Sequence, residues 1–173
     1  MTDSVSGASF RALRVIALTG GVGAGKSEAA RRFAARGIPV IEADKLGHEL
    51  LQPGGAAEKE VVETFGPDIL SCGKIDRGRL GALVFSDRGA LEKLNQITHP
   101  RLKQRLFDLC NELDAQGHSI AVVEAAILGD DGVIPPWVDA VALVTAPEDV
   151  RVARLCAARG WTPEQARTRI AAQ

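Results

Sequence analysis

Val15-Ile16-Ala17-Leu18-Thr19-Gly20-Gly21-Val22-Gly23-Ala24-Gly25-Lys26-Ser27 is the stretch whose reading decides the fold. A short apolar run, residues 15–18, has the length of a buried strand and enters a glycine-rich turn. Beyond the turn Ala29, Ala30, Phe33 and Ala34 recur at helical spacing, and Gly37 stands where a helix would end. A second apolar run, residues 38–41, follows at once and leads into Glu42-Ala43-Asp44. Strand, glycine loop, helix and strand with so little chain between them make a β-α-β unit with parallel strands, hence an α/β architecture. The acidic residues then lie at a strand's carboxyl end, the edge where open parallel sheets bind ligands.

Farther along, residues 45–98 carry short helical patterns and turn signals (Pro53-Gly54-Gly55, Gly66-Pro67, Cys72-Gly73) without a long β-branched run, which predicts a mostly helical insertion. Pro100 is read as the opening of a new helix, continued by Leu102, Leu106, Leu109 and Leu113 and ended by Gly117. Strands are expected over residues 120–128 and 138–145. Pro147-Glu148-Asp149 starts a further helix with acids against its positive end, and Thr162-Pro163-Glu164-Gln165 reads as a capping box opening a helix over residues 163–172. The 173 residues suit one domain, and 46% hydrophobic with 25% charged residues excludes disorder as the general state. With 21 Lys and Arg against 22 Asp and Glu, no global field draws a polyanion, so phosphate binding has to be local. Three separated cysteines, Cys72, Cys110 and Cys156, fit a reducing compartment; no apolar run is long enough to span a bilayer. The reading is a cytoplasmic protein with a loose leader over residues 1–11 and no membrane partner.

Gly20-x-x-x-x-Gly25-Lys26-Ser27 satisfies the P-loop pattern in full, and between strand and helix it has the context the pattern requires. Backbone N–H groups of residues 21–28 (Gly21, Val22, Gly23, Ala24, Gly25, Lys26, Ser27, Glu28) are placed to wrap phosphates. Lys26 reaches the β and γ oxygens, and the Ser27 hydroxyl is a Mg²⁺ ligand. Asp44, just past the second strand, is the candidate base for an acceptor hydroxyl, with a helix N-cap as its plainer reading. Glu124, a carboxylate in an apolar strand, suits the acidic partner of that Mg²⁺, and otherwise a salt bridge at the sheet edge. Arg151, Arg154, Arg159, Arg167 and Arg169 crowd the last 25 residues, as in an arginine lid closing over a triphosphate. Arg154 and Arg159 are five apart and diverge on a continuous helix, so only one points straight at the phosphates. His99, before Pro100, and His48, four residues after Asp44 and on its helix face, are open to a structural or a catalytic reading, and a lone histidine is more often structural. Arg101, Lys103 and Arg105 lie opposite Leu102 and Leu106 with no aromatic platform, so nucleic-acid binding is set aside.

Taken in order, these residues resemble the dephospho-coenzyme A kinases over nearly the whole chain, residues 15–173. The resemblance is carried by residues 17–27, by Val40-Ile41-Glu42-Ala43-Asp44, by Ile75-Asp76-Arg77-Gly78-Arg79-Leu80 with Val84-Phe85-Ser86-Asp87, by Ile97-Thr98-His99-Pro100, and by Arg154, Arg159 and Arg169-Ile170-Ala171-Ala172-Gln173. It implies a three-layer P-loop NTPase fold like that of the nucleoside-monophosphate kinases, with a parallel sheet, a helical acceptor-binding insertion and an arginine-rich lid. It also implies ATP and Mg²⁺ as cofactors and phosphorylation of the 3′-hydroxyl of dephospho-coenzyme A, giving coenzyme A and ADP. Lys26, Asp44, Arg154 and Arg159 are then catalytic, Ser27 and Glu124 hold metal, and Asp44, His48, Arg79 and His99 face the acceptor. The expected organisation is one kinase domain, a monomer, with core 12–44 and 99–147, acceptor lobe 45–98 and lid 148–173. Glu42 stands where that family commonly has aspartate. Ala126-Ile127-Leu128-Gly129-Asp130 replaces a Pro-Leu-Leu-Phe-Glu run, and relatives typically continue past residue 173 with another strand and helix. Other readings are a different P-loop small-molecule kinase, or a nucleotide-dependent switch. The second is disfavoured by the lack of an Asn-Lys-x-Asp guanine-reading run.

Overall fold

A computed structural model describes residues 10–125 and 134–172. Four parallel strands form its main sheet: β1 (Arg14–Thr19), β2 (Val40–Glu42), β5 (Ile120–Glu124) and β6 (Ala140–Leu143), in the order β2-β5-β1-β6. β1 and β5 are central and contribute Val15, Ala17, Leu18, Ala121, Val122 and Val123 to the core, all at or below 1% exposure. Continuous apolar runs are what a strand covered on both faces requires. α1 (Lys26–Ala34) crosses from β1 to β2, and its Ala29, Ala30 and Phe33 pack with Leu18, Val122 and Val40. The β-α-β unit is thus as expected, except that β5 intervenes between its two strands.

The chain divides into two compact units, one of residues 1–42 and 110–173 and the other Ala43–Leu109. The second contains α2 (Ala43–Glu49), α3 (Glu58–Phe65), a 3₁₀ turn (Pro67–Ile69), α4 (Arg77–Ser86) and most of α5 (Arg88–Ala115). Its own core is Leu50, Val61, Ile69, Leu80, Val84, Ala90 and Ile97. It is helical as expected, apart from a two-residue-per-strand hairpin of β3 (Leu70–Ser71) and β4 (Lys74–Ile75). Pro100 does not open a helix. It lies inside α5, where the lost hydrogen bond is tolerated because Arg101 fastens the helix at that point, donating to the Ile97 carbonyl (2.6 Å), the Ala56 carbonyl (2.9 Å) and the Glu60 carboxylate (2.5 Å).

Other expectations need trimming. β5 is shorter than the expected 120–128, and residues 126–128 lie outside the described residues, as does Asp130. β6 occupies only the middle of 138–145. Nor does a loose leader reach residue 11: the backbone N–H groups of Arg11, Ala12 and Leu13 donate to the Asp114 carboxylate at 2.9, 3.0 and 2.9 Å, tying the entry of β1 to the end of α5. After β6 come α6 (Glu148–Arg159), ended by a left-handed Gly160, and α7 (Pro163–Ala171), opened by the expected reciprocal capping box of Thr162 and Gln165. Both helices belong to the unit that holds the main sheet.

Candidate active site

The glycine loop leaves the carboxyl end of β1 and opens α1. Ala24 N–H closes a tight turn on the Gly21 carbonyl (3.1 Å), and Gly25 is the N-cap of α1, with no side chain to occupy the helix's first amides. Those amides and the positive end of the helix dipole make an anion site. Beside it, Leu18 of β1 is in register with Glu124 of β5, and Glu124 with Glu42 of β2, so two carboxylate-bearing residues end neighbouring strands at the loop's edge of the sheet. Ser27, in the first turn of α1, donates its hydroxyl to Glu124 Oε1 at 3.3 Å.

That pair tests whether Mg²⁺ fits. A hydroxyl oxygen and a carboxylate oxygen converge within hydrogen-bond distance, the hard donor set magnesium prefers. Among the described residues no group of three or more His, Cys, Asp or Glu is arranged to hold a metal by itself. The residues fit, and Ser27 and Glu124 are the ones that would hold Mg²⁺.

α6 lies against the outer side of the loop. Arg151 Nε donates to the Val22 carbonyl (2.9 Å), and Arg154 Nη1 donates to the carbonyls of Ala24 (2.9 Å) and Gly23 (3.3 Å). Val22 packs on Val152, Leu155 and Ala166, joining loop, α6 and α7 in one apolar cluster. A cleft of about 400 Å³ runs along Gly25, Glu28, Arg32 and Arg154. Glu28 is paired with Arg32 (3.0 Å) and with Arg31, and these guanidinium groups hold its carboxyl below the ordinary range.

A family model described as Dephospho-CoA kinase matches residues 14–173. A dephospho-CoA kinase of Methylococcus capsulatus is 42% identical over 160 residues, covering 92% of this chain and 79% of the relative. The chain belongs to the dephospho-CoA kinase family. The dephospho-CoA kinase of Thermobifida fusca is 41% identical over 159 residues, with 91% and 78% covered. A crystal structure from Thermus thermophilus superposes with a TM-score of 0.79 at 30% identity, covering 94% of this chain and 81% of that one. A dephospho-CoA kinase from Campylobacter jejuni, at 22% identity and a TM-score of 0.59, shares the fold. The α/β P-loop architecture and the kinase, transferase class are those of this family.

Within this kinase fold the expected site residues fall into two groups. Gly21 to Glu28, Glu124, Arg154 and Arg159 are carried by the unit with the main sheet; Asp44, His48, Arg79 and His99 are carried by the other. Asp44 follows β2 by two residues and sits in the first turn of α2, which starts at Ala43, so the N-cap reading does not hold. His48 is one helical turn later on the same face. Arg79 donates to the carbonyls of Leu70 (2.7 Å) and Asp68 (3.4 Å), and His99 is half-buried in α5. Arg154 and Arg159 diverge as their spacing requires. While Arg154 reaches the loop, Arg159 stacks on Trp161, its guanidinium carbon 5.1 Å from the ring centroid, beside a hollow that Gln165, Thr168 and Arg169 also line. Arg167 pairs loosely with Glu148 (4.0 Å), both side chains exposed. The sequence places Arg151 in the arginine cluster but gives it no role of its own, although its spacing of three from Arg154 puts both on one helix face.

Proposed function

We propose that this chain transfers the γ-phosphoryl group of ATP to the 3′-hydroxyl of dephospho-coenzyme A, giving coenzyme A and ADP. The observation that carries the reading is the Ser27–Glu124 pair beside a complete glycine loop, in a chain whose family is that of the dephospho-CoA kinases. In this reading loop amides and the Lys26 ammonium bind the β- and γ-phosphates and stabilise the charge that develops between them. Ser27 and Glu124 would hold Mg²⁺, which would supply charge neutralisation for the transferred group. Asp44 accepts the acceptor's 3′-hydroxyl proton as that oxygen bonds to the γ-phosphorus, and the bond from phosphorus to the β–γ bridging oxygen breaks to release ADP. Residues 45–98 receive the acceptor, with His48, Arg79 and His99 on its side, and residues 148–173 act as the lid, Arg154 and Arg159 being its cations. We also infer a cytoplasmic monomer without nucleic-acid partners; all three cysteines are free thiols, and no described helix is long and apolar enough to cross a membrane.

Purified protein supplied with ATP and Mg²⁺ should release ADP only when dephospho-coenzyme A is present, and Lys26→Ala should abolish that release while the protein stays folded. ADP release driven equally by other hydroxyl acceptors would refute the substrate assignment. Near-wild-type turnover by Lys26→Ala would refute the P-loop assignment.

A further inference from the structure

A loop that turns its N–H groups toward phosphate turns its carbonyls outward, and these need partners as well. Three successive carbonyls, those of Val22, Gly23 and Ala24, receive theirs from one face of α6. The two arginines hold the loop differently. Arg151 is partly buried and bonds through Nε, the guanidinium nitrogen nearest its backbone, so the bond ties the loop to the helix itself. Arg154 is exposed and bonds through a terminal nitrogen, a contact it can release without any movement of the backbone.

We propose that Arg151 is a positioning residue for phosphoryl transfer, its guanidinium clamping the Val22 carbonyl so that the loop's amides stay directed at the nucleotide's phosphates. The Val22 carbonyl and the Gly23 N–H belong to one peptide group, so a cation on the oxygen polarises that N–H and makes it a stronger donor to an anion. The approach is close because Gly23 has no side chain: a Cβ there would lie 3.0 Å from the Arg151 carbonyl oxygen and 3.2 Å from Leu155 Cγ. Arg151 therefore meets the loop twice, through its guanidinium at Val22 and through its main chain at Gly23. The inference rests on the glycine loop being the ATP site.

The test is the affinity of the full-length protein for ADP and ATP, by titration calorimetry, in Arg151→Ala and Arg151→Lys, with KM for both substrates, kcat and thermal midpoints. Losing a hydrogen bond from a charged donor costs on the order of 10- to 100-fold. Arg151→Ala is therefore expected to weaken ADP and raise KM for ATP by about 10- to 100-fold, with KM for dephospho-coenzyme A unchanged. Arg151→Lys, which keeps the charge and one donor, should recover part of the loss. Amide hydrogen exchange of residues 21–25 should quicken in Arg151→Ala while the amides of β1 and β5 keep their protection. Wild-type ADP affinity in folded Arg151→Ala would overturn the proposal. So would a loss that rises equally in both substrates and tracks a general loss of exchange protection, the mark of a merely structural arginine. If Arg151→Ala fails to fold, Arg151→Lys decides, and an ADP affinity equal to wild type in a variant that cannot reproduce the Nε geometry overturns the idea. Turnover that does not depend on dephospho-coenzyme A would defeat the functional reading alone, because the ratio of ADP affinities still judges Arg151.

Discussion

Gly23→Ala separates two reasons for a glycine in a phosphate loop. One is room for the ligand; the other, visible only in the fold, is room for α6. Gly23 has φ +75°, and a left-handed conformation costs a residue with a Cβ about 1–2 kcal/mol. The new methyl would also press on the Arg151 carbonyl oxygen at 3.0 Å, a main-chain atom that cannot swing aside, and on Leu155 Cγ at 3.2 Å. Overpacking of this kind adds about 1–3 kcal/mol. The total of about 2–5 kcal/mol corresponds to a fall of about 4–20 °C in the thermal midpoint of a chain this size. Gly37 supplies the control, having the same φ of +75° and nothing within 4 Å of where its Cβ would be. Gly37→Ala should therefore lose only the backbone share, about 1–2 kcal/mol or 2–8 °C. Both changes reduce the freedom of the unfolded chain alike, so that contribution cancels in the comparison. Differential scanning calorimetry without nucleotide is the assay. Equal losses in the two variants would refute the argument that α6 presses on the loop, leaving ligand room as the reason for Gly23.

Asp44→Asn should lower kcat by about 10²- to 10⁴-fold with ATP affinity little changed, the range for a lost general base, as steady-state kinetics would show; a fall in stability with kcat retained would place the base elsewhere. The Asp114 carboxyl is held below its usual range by amide hydrogen bonds from Ala12, Arg11 and Leu13. A depressed folded value means stabilisation that is present above the ordinary carboxylate pKa of about 3.9 and lost as pH falls through the lower folded value. Asp114→Asn should therefore lower the urea midpoint at pH 7 and flatten its decline as the pH falls below about 4, whereas an unchanged acid limb would count against the Asp114 anchor. Burial raises the Cys110 thiol to about 12, while Cys72 is exposed at the tip of the β3–β4 hairpin. A thiol reagent at pH 8 should label Cys72 first and Cys110 only after denaturant is added, as peptide mass spectrometry would report.

Local chemistry made much of this protein legible from its sequence. The glycine loop could be placed because a short apolar run precedes it and a helical pattern follows it. The capping box at Thr162 was readable because it depends on neighbours within four residues. Family membership was legible in the order of several such stretches. Where long-range packing decides, the sequence misled or was silent. Pro100 looks like a helix start because its ring forbids one hydrogen bond, yet α5 runs through it, since Arg101 ties that turn to Ala56 and Glu60, more than 40 residues away in the chain. Glu124 could be picked out as a carboxylate in an apolar strand, but its meeting with Ser27 depends on β5 lying beside β1, a pairing across about a hundred residues that no local pattern encodes. Arg151 looked like one more charge on a helix face. Only the docking of α6 on the loop distinguished it from Arg159, because a guanidinium's role is set by which carbonyl, carboxylate or ring lies within its reach, and tertiary structure alone brings those partners there.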